Sequence, residues 1–384
     1  MSNTVTPYDP IFYAQYGLEQ LEKALGMAGR VFRGVDKTAQ QPGSIIQLRR
    51  PGSFAAQSAP SVAQDLKPAS VQVQLDQWKE VKFALTDKEL NYTQEQIIAD
   101  HIRPAAVALA DDIDQALVGL VKRFPYHTSV TLSSAAVTDI TAARRVLFQN
   151  RVPMDDLHMM IDGYLEEKFL GLAAFTQWQG AGDAGVSSQA RGSLGTEFGF
   201  EIFANQNVNT FTSGTCADTA GAIDSGSTGY LKGATTIHID ALTSGGTAKA
   251  GDYLAITGDS QQYMITADTT FTSGEADVVI EPPLAADVAE DVVVTMYQPG
   301  GNGASKTQNF AFRRQAMVLA MAPLSTLGNQ LGARVEAVTD PITNLSLRSR
   351  MYYDGDNSKV VVALDVLYGV KVLDHNMGVR VMAA

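Results

Sequence analysis

Hydrophobic and polar residues change their spacing several times along this chain of 384 residues. Residues 71–85 alternate between apolar and polar side chains, with one interruption at Gln77 and Trp78. This alternation predicts a strand with one sheltered and one solvent-facing side, and residues 44–49 predict an earlier strand. We expect the two strands to form a long ribbon. Because an isolated ribbon is only marginally stable in water, it should need a partner surface.

Apolar residues spaced by three and four predict one long amphipathic helix over residues 86–124. Pro104 lies inside that helix and should kink it, because proline cannot donate the backbone hydrogen bond. Residues 138–150 predict a second helix. A shorter helical pattern over residues 11–27 has too few apolar positions for a core of its own, so it should pack on the body or on a neighbouring subunit.

Residues 207–300 have a different texture, in which short apolar runs are separated by turn residues. Several short strands at near-regular spacing are typical of a small barrel or sandwich. Later in the chain, residues 359–367 are almost wholly apolar and predict a strand buried on both faces. The short runs lie at residues 235–240, 252–257, 262–266, 278–281 and 292–297.

The net charge of −12 is concentrated in one part of the chain. Residues 207–299 hold 2 basic and 12 acidic residues, which gives −10 and leaves −2 for the remaining 27 basic and 29 acidic residues. Such a segment should fold separately with a solvated surface. No region is basic enough for sequence-specific nucleic-acid binding. No apolar run is long enough to span a bilayer, and no secretory signal is visible, so we expect a cytoplasmic origin.

The sequence offers no candidate active site. Its five histidines are scattered without metal-ligand spacing, and its single cysteine, Cys216, has no histidine nearby. Phosphate-binding glycine loops and nucleophile elbows are missing from the sequence. We therefore expect a protein that is not an enzyme and that uses no cofactor and no metal.

The only basic concentration lies near the N-terminus. Salt bridges to another subunit are the interpretation we favour for these residues, and nonspecific contact with packaged nucleic acid is the alternative. Trp78 is a further candidate for an intersubunit contact. The basic residues are Arg30, Arg33, Lys37, Arg49 and Arg50.

The order of these parts resembles the major capsid protein of tailed bacteriophages, and within that family the Salmonella podovirus type of coat protein with an inserted β-domain. Residues 4–14 and 18–32 resemble the N-terminal arm of the family, residues 43–85 its extended loop and residues 87–124 its spine helix. Further stretches of this chain resemble the recurrent strands of the family's inserted domain, and later stretches resemble segments of its capsid body. These further matches are residues 251–258, 262–266, 278–284, 309–320 and 364–373.

The resemblance implies an α+β protein with the capsid (Johnson) fold, which combines an N-arm, an extended β-ribbon loop, a long spine helix and an inserted small all-β domain. The implied division runs along the whole chain, with the spine helix at residues 86–124. Its parts are an arm (1–43), the extended loop (44–85), the capsid body (86–206), the acidic insert (207–300) and a return to the body (301–384).

The function that the resemblance implies is a structural one. Copies of the chain would assemble as hexamers and pentamers into the icosahedral head of a tailed double-stranded DNA phage (Caudoviricetes), in the cytoplasm of the host bacterium. A scaffolding protein and a portal would be partners, a decoration protein could bind, and contact with packaged DNA would be nonspecific, with no membrane involved. The alternatives are an encapsulin-like compartment shell and a receptor- or carbohydrate-binding virion protein.

Overall fold

The computed structural model describes residues 10–35, 43–50, 59, 69–86, 101–176, 192–327, 333–340 and 343–384. Helices and strands both contribute to it, which confirms the α+β class. The chain divides into two compact units. The first joins residues 1–117 to residues 317–373, and the second joins residues 118–316 to residues 374–384.

The described helices and strands are numbered here in chain order. The helices are α1 Pro10–Ala24, α2 Arg103–Val118, α3 Val137–Gln149, α4 Gly163–Leu170 and α5 Ala173–Thr176. The strands up to the barrel are β1 Phe32–Val35, β2 Ile45–Arg50, β3 Ala69–Gln74, β4 Gln77–Thr86, β5 His127–Val130, β6 Leu157–Ile161, β7 Gly195–Glu197, β8 Phe200–Ala204 and β9 Thr210–Thr212. The others are β10 Gly221–Ile223, β11 Thr236–Asp240, β12 Thr247–Ala248, β13 Tyr253–Ile256, β14 Gln262–Ile265, β15 Thr269–Thr270, β16 Ala276–Glu281, β17 Val293–Tyr297, β18 Ser305–Arg313, β19 Met317–Met321, β20 Arg334–Thr339, β21 Ser346–Asp354, β22 Lys359–Val372 and β23 Gly378–Ala383.

The first unit is built around β22, which is 14 residues long. Along one edge it pairs with β4, and along the other it pairs first with β21 and then with β19. β20 and β1 complete this six-stranded sheet. As its apolar sequence predicts, β22 is buried over residues 361–369, because both faces of the sheet are covered there.

The N-terminal helix α1 packs on β20 and β21 of its own chain. It buries Tyr13, Ala14, Leu18 and Leu21, whose separations of one, four and three residues place them on one face of the helix. At Gly17 the helix approaches the sheet so closely that a Cβ atom would lie 2.7 Å from the side chain of Leu347. Of the two partners predicted for this segment, the body of the same chain is the one that the structure shows.

The second unit contains a seven-stranded sheet in the order β5-β23-β18-β6-β8-β7, with β9 also paired to β18. Helices α3 and α4 cover one face and bury a core that includes Ile140, Leu147 and Phe169. The carboxylate of Asp162 caps α4 by accepting a hydrogen bond from the backbone N–H of Leu165 at 3.1 Å. α3 matches the helix predicted over residues 138–150 within one residue at each end.

Six short strands close into a barrel in the order β10-β11-β16-β14-β13-β17. Of the two architectures predicted for residues 207–300, the barrel is the one observed. Its core is filled by alternate residues of the strands, such as Ile237, Ile239, Val278 and Ile280. The chain enters and leaves at adjacent points, because β9 pairs with the beginning of β18 and the N–H of Ser213 donates to the carbonyl of Ala304 at 3.1 Å.

The prediction of one strand over residues 71–85 was wrong. The alternating segment contains two strands, β3 and β4, which belong to different sheets. β3 pairs with β2 in the ribbon, whereas β4 pairs with β22 along its whole length. The chain changes sheets at Leu75, whose buried side chain packs against the six-stranded sheet. Alternation of apolar and polar residues indicates that one face of a strand is buried, but it does not indicate which strand pairs with it.

The prediction of one helix over residues 86–124 also needs correction. Thr86 is the last residue of β4, and residues 87–100 lie outside the described residues. α2 ends at Val118 and a short 3-10 helix follows at Val121–Arg123. The early end has a local reason, since Gly119 is a poor helix former and Pro125 disfavours a helical Phe124, which is extended at φ −97 and ψ 124.

Candidate functional site

The described residues contain no group of histidine, cysteine and carboxylate side chains that could hold a metal ion. Cys216 is fully buried, and its Sγ donates to Oδ2 of Asp218 at 3.3 Å. Burial raises the pKa of the thiol to about 12, so the nucleophilic thiolate is suppressed at neutral pH. None of the described helices is long and apolar enough to cross a membrane.

Asp114 of α2 holds the segment that follows α1. Its carboxylate accepts hydrogen bonds from the backbone N–H groups of Gly26 at 2.9 Å, Met27 at 3.2 Å and Ala28 at 3.0 Å. The side chain is 5% exposed, and burial raises its pKa despite these three donors. The segment that follows α1 is therefore tied to α2 by one side chain of the same chain.

Arg30 and Arg33 brace this same turn. Nη1 of Arg30 donates to the carbonyl of Gly26 at 3.0 Å. Arg33 donates through Nε to the carbonyl of Ala28 at 3.1 Å and through Nη1 to that of Thr343 at 2.8 Å. Both arginines are half-buried, and these contacts are within the chain. Their predicted contact with a neighbouring subunit stays a prediction.

The ribbon of β2 and β3 has one dry and one wet face. Ile46, Leu48 and Val73 pack with Leu75 against the six-stranded sheet, while Ile45 on the other face is 56% exposed. The strand pairing between β2 and β3 continues away from the end that Leu75 anchors, and it finishes with two residue pairs. Those pairs are Arg49 with Ser70 and Arg50 with Ala69.

Trp78 lies on a charged face of the six-stranded sheet, opposite Leu367 of β22. Its Nε1 donates to Oδ2 of Asp365 at 3.2 Å, and its ring is 49% exposed. Asp365 is fully buried and is held by Arg348 through Nε at 2.9 Å and Nη2 at 2.5 Å. The charge of Asp365 is therefore paired with that of Arg348. The hydrogen bond to Asp365 fixes the indole of Trp78 in position while half of the surface of Trp78 remains exposed.

Pro104 is the second residue of α2 and is exposed. His101 and Ile102, directly before the first residue of α2, are π-helical. Since residues 87–100 lie outside the described residues, the kink stays a prediction.

Arg380 joins the barrel to the seven-stranded sheet, and the sequence carried no signal for it. The residue lies in β23, is fully buried, and donates through Nη1 to the barrel carbonyl of Gly251 at 2.8 Å. Its guanidinium lies 5.8 Å from the ring centre of Phe211. Burial lowers its pKa to about 10, an effect that the nearby Asp252 opposes, so the side chain is charged at neutral pH.

Two further titratable groups share this contact. Asp252 is fully buried, and burial raises the pKa of its carboxyl to about 6. His127 pairs in register with Arg380, and burial together with the charge of Arg380 lowers the pKa of its imidazole to about 4. Desolvation is thus the largest cause of the pKa shifts of Arg380, Asp252 and His127. The three residues come from separate stretches of sequence.

Comparisons with known proteins give similarities of structure alone. No protein-family model matches the chain, and no curated protein matches it. A chain from Mycobacterium phage Che8 is similar over 94% of this chain and 90% of its own, at 13% identity and a TM-score of 0.45. The capsid of cyanophage P-SCSP1u (92% and 87%, 13% identity, TM-score 0.45) and the mature capsid of bacteriophage PhiM1 (94% and 87%, 10% identity, TM-score 0.45) are similar to the same degree.

The predicted contact residues do not form one site. Arg30 and Arg33 lie together at the turn after α1, Arg49 and Arg50 at the far end of the ribbon ladder, and Trp78 on a sheet face. Chemically this arrangement offers surfaces for protein contacts. These residues do not bring a nucleophile and a base together in a substrate cleft.

Proposed function

We propose that this chain is the major capsid protein of a tailed double-stranded DNA bacteriophage, of the podovirus coat-protein type with an inserted domain. The observation that carries the proposal is the ribbon of β2 and β3. It is anchored at one end by Val73 and Leu75, and its six-residue strands extend about 20 Å. One face of the ribbon packs on the sheet of its own chain, and the other face, where Ile45 is 56% exposed, is the one that a neighbouring copy in a shell covers.

Other features support the same proposal. The order of arm, ribbon, helix, body and inserted barrel along the chain is the order that the resemblance to tailed-phage capsid proteins requires. In the proposed shell, hexamers and pentamers of this chain enclose DNA in the virion. The ribbon lies over the adjacent subunit, and Arg49, Arg50 and Trp78 contact it, as do Arg30 and Arg33 of the arm. A scaffolding protein and a portal assist assembly in the host cytoplasm.

The proposed domains follow the boundaries expected from the sequence: arm 1–43, extended loop 44–85, body 86–206 and 301–384, and insert 207–300. Within the extended loop, β4 is the part that joins the body, because it pairs with β22. The insert carries a charge of −10 and therefore faces outward, because carboxylates turned toward DNA phosphates would be repelled. An outward position also leaves the insert open to a decoration protein.

Electron microscopy and light scattering test the proposal on the full chain, expressed alone and together with its neighbouring genes. Closed shells of uniform diameter are the expected result. A stable monomer or small oligomer under both conditions contradicts the proposal. Shells that form around a co-expressed enzyme and never contain DNA favour a compartment shell instead.

A pair of variants tests the part played by the ribbon. Ile45→Glu places a charge on the wet face of the ribbon, where the side chain is 56% exposed in the single chain and covered in the proposed shell. We expect a folded protein with a strongly reduced yield of shells. Val279→Glu, which alters a residue of the barrel that is 38% exposed, is the control and should assemble normally. Equal yields from both variants would contradict the role of the ribbon.

A further inference from the structure

A basic groove follows the end of helix α3. Two adjoining hollows meet at Phe148 and Met154, which line both of them. Phe148 is 68% exposed, an unusual position for a phenylalanine with no cover in the chain. Three arginines and no carboxylate line the hollows. We define this Phe148 groove by Arg144, Arg145, Phe148, Arg151, Pro153 and Met154.

The backbone at the end of α3 departs from the usual choice of residue. The N–H of Val152 donates to the carbonyl of Leu147 at 3.1 Å, and the N–H of Arg151 donates to that of Phe148 at 3.0 Å. These two bonds form a Schellman motif, whose left-handed position is normally glycine. Here that position is Arg151, at φ 57. The chain thus accepts a strained residue and gains a cation beside Phe148.

The arginines are displayed in different ways. Nη1 of Arg144 donates to the carbonyl of Phe198 at 2.9 Å, which fixes that side chain along the groove. Arg145 and Arg151 are exposed. The groove therefore combines an apolar floor with three positive charges, in a chain whose net charge is −12. Its chemistry fits a protruding apolar side chain surrounded by carboxylates.

The barrel carries such a protrusion. Leu231 is 76% exposed, the highest value for a large hydrophobic side chain in the part of the chain that the structure describes. It lies in the loop between β10 and β11, which we call the Leu231 loop (residues 224–235). The two loops that meet here, the Leu231 loop and the loop between β16 and β17, contain four carboxylates, and Lys232 is their only basic residue. The carboxylates are Asp224, Asp287, Glu290 and Asp291.

Hydrogen bonds make the Leu231 loop rigid. Tyr230 and Val288 exchange two backbone bonds of 2.8 Å, and Oδ1 of Asp287 accepts from the N–H of Lys232 at 2.7 Å. The carboxylate of Glu290 accepts from the backbone and the hydroxyl of Ser225, at 3.0 Å and 2.5 Å. Leucine is thus held outward before any contact is made, which lowers the entropy cost of binding.

We infer that the Leu231 loop of one copy of this chain docks into the Phe148 groove of a second copy. The net charge of the loop and its facing carboxylates is −3, from four carboxylates and Lys232, and it matches the three arginines of the groove. Because the two surfaces differ, the contact is heterologous and repeats from copy to copy. The inference rests on the proposed function, since a shell is what brings many copies together.

Cysteine cross-linking tests the contact on the full chain. Lys232→Cys, beside the intact Leu231, combined with Gln149→Cys, on the rim of the groove, should give a ladder of disulfide-linked multimers after mild oxidation. Either substitution alone should leave monomers on a non-reducing gel, because the native Cys216 is buried. The control pair Val279→Cys with Gln149→Cys should also leave monomers.

The outcomes separate this inference from the proposed function. Shells in the microscope without a specific ladder overturn the inference and leave the capsid function standing. A ladder in protein that never forms shells keeps the contact and contradicts the capsid function. The absence of both contradicts both.

Charge exchange provides a second test. Arg145→Glu and Asp291→Arg should each slow assembly about tenfold, and the double variant should restore most of the rate, since like charges repel across a contact. Arg151→Gly keeps the Schellman motif, relieves the strain of a left-handed arginine and removes the cation, so it should leave the thermal unfolding midpoint equal or higher and slow assembly. Normal assembly of both Arg145→Glu and Arg151→Gly would overturn the inference.

Discussion

Asp114 is the clearest single-residue link in the first unit, because one buried carboxylate satisfies three consecutive backbone N–H groups. Asp114→Ala leaves those donors buried without a partner. We expect a loss of about 3 kcal/mol in the free energy of unfolding, measured by urea denaturation of the unassembled protein. Hydrogen exchange at the amides of Gly26, Met27 and Ala28 should become faster.

Asp111→Ala is the matched control for this prediction. It removes a carboxylate from an exposed position of the same helix and should change stability by less than about 0.5 kcal/mol. If the two variants unfold at the same urea concentration, the three hydrogen bonds of Asp114 contribute nothing to stability.

At the scale of elements, the contact between barrel and sheet contains two groups with opposite pH dependence. His127, with its pKa lowered to about 4, adds stability above its unfolded pKa of 6.5 and loses it as the pH falls toward 4. Asp252, with its pKa raised to about 6, adds stability below its unfolded pKa of 3.8 and loses it as the pH rises toward 6. Each contribution is about 3 kcal/mol, so they largely cancel.

Variants of each group should expose the hidden pH dependence. Relative to the wild type, His127→Asn should gain stability as the pH falls from 6.5 to 4, and Asp252→Asn should gain it as the pH rises from 4 to 6. Urea midpoints across this range are the measurement. Parallel curves for the wild type and both variants would show that burial does not shift these pKa values.

At the scale of the whole molecule, the chain leaves the seven-stranded sheet after β9 and returns to it in β18, with the barrel in between. Residues 214–303 can be replaced by Asn-Gly, a two-residue hairpin turn, because Thr212 pairs with Ser305 in register. We expect the shortened chain to fold with its sheet intact. Its solubility should fall, since the excised residues carry −10 of the net charge of −12.

The excised barrel should also fold by itself. It has its own core of buried residues, including Ile237, Leu254, Tyr263 and Phe271. A fragment of residues 213–304 should give a dispersed NMR spectrum and one cooperative thermal transition. An unfolded fragment would mean that the contact of Arg380 with Gly251 is needed for the barrel to form.

Periodicity assigned the correct type to most of the elements that it predicted and located few of their partners. The strand pattern over residues 71–85 hid a change of sheet at Leu75, and the helical pattern over residues 86–124 hid the end of α2 at Val118. For the candidate sites, the sequence singled out Trp78 as a contact residue. It carried no sign of Arg380, because a lone arginine in an apolar strand has no characteristic spacing.

The sequence alone determined local properties of this protein: the presence of both helices and strands, the acidic barrel segment and the buried character of β22, since spacing and charge act over neighbouring residues. Only the tertiary structure decided which strands pair, that Asp114 binds the turn after α1, and that Arg380 is buried beside Asp252 and His127. These depend on contacts between residues far apart in the chain, whose energies come from desolvation and geometry rather than from sequence order.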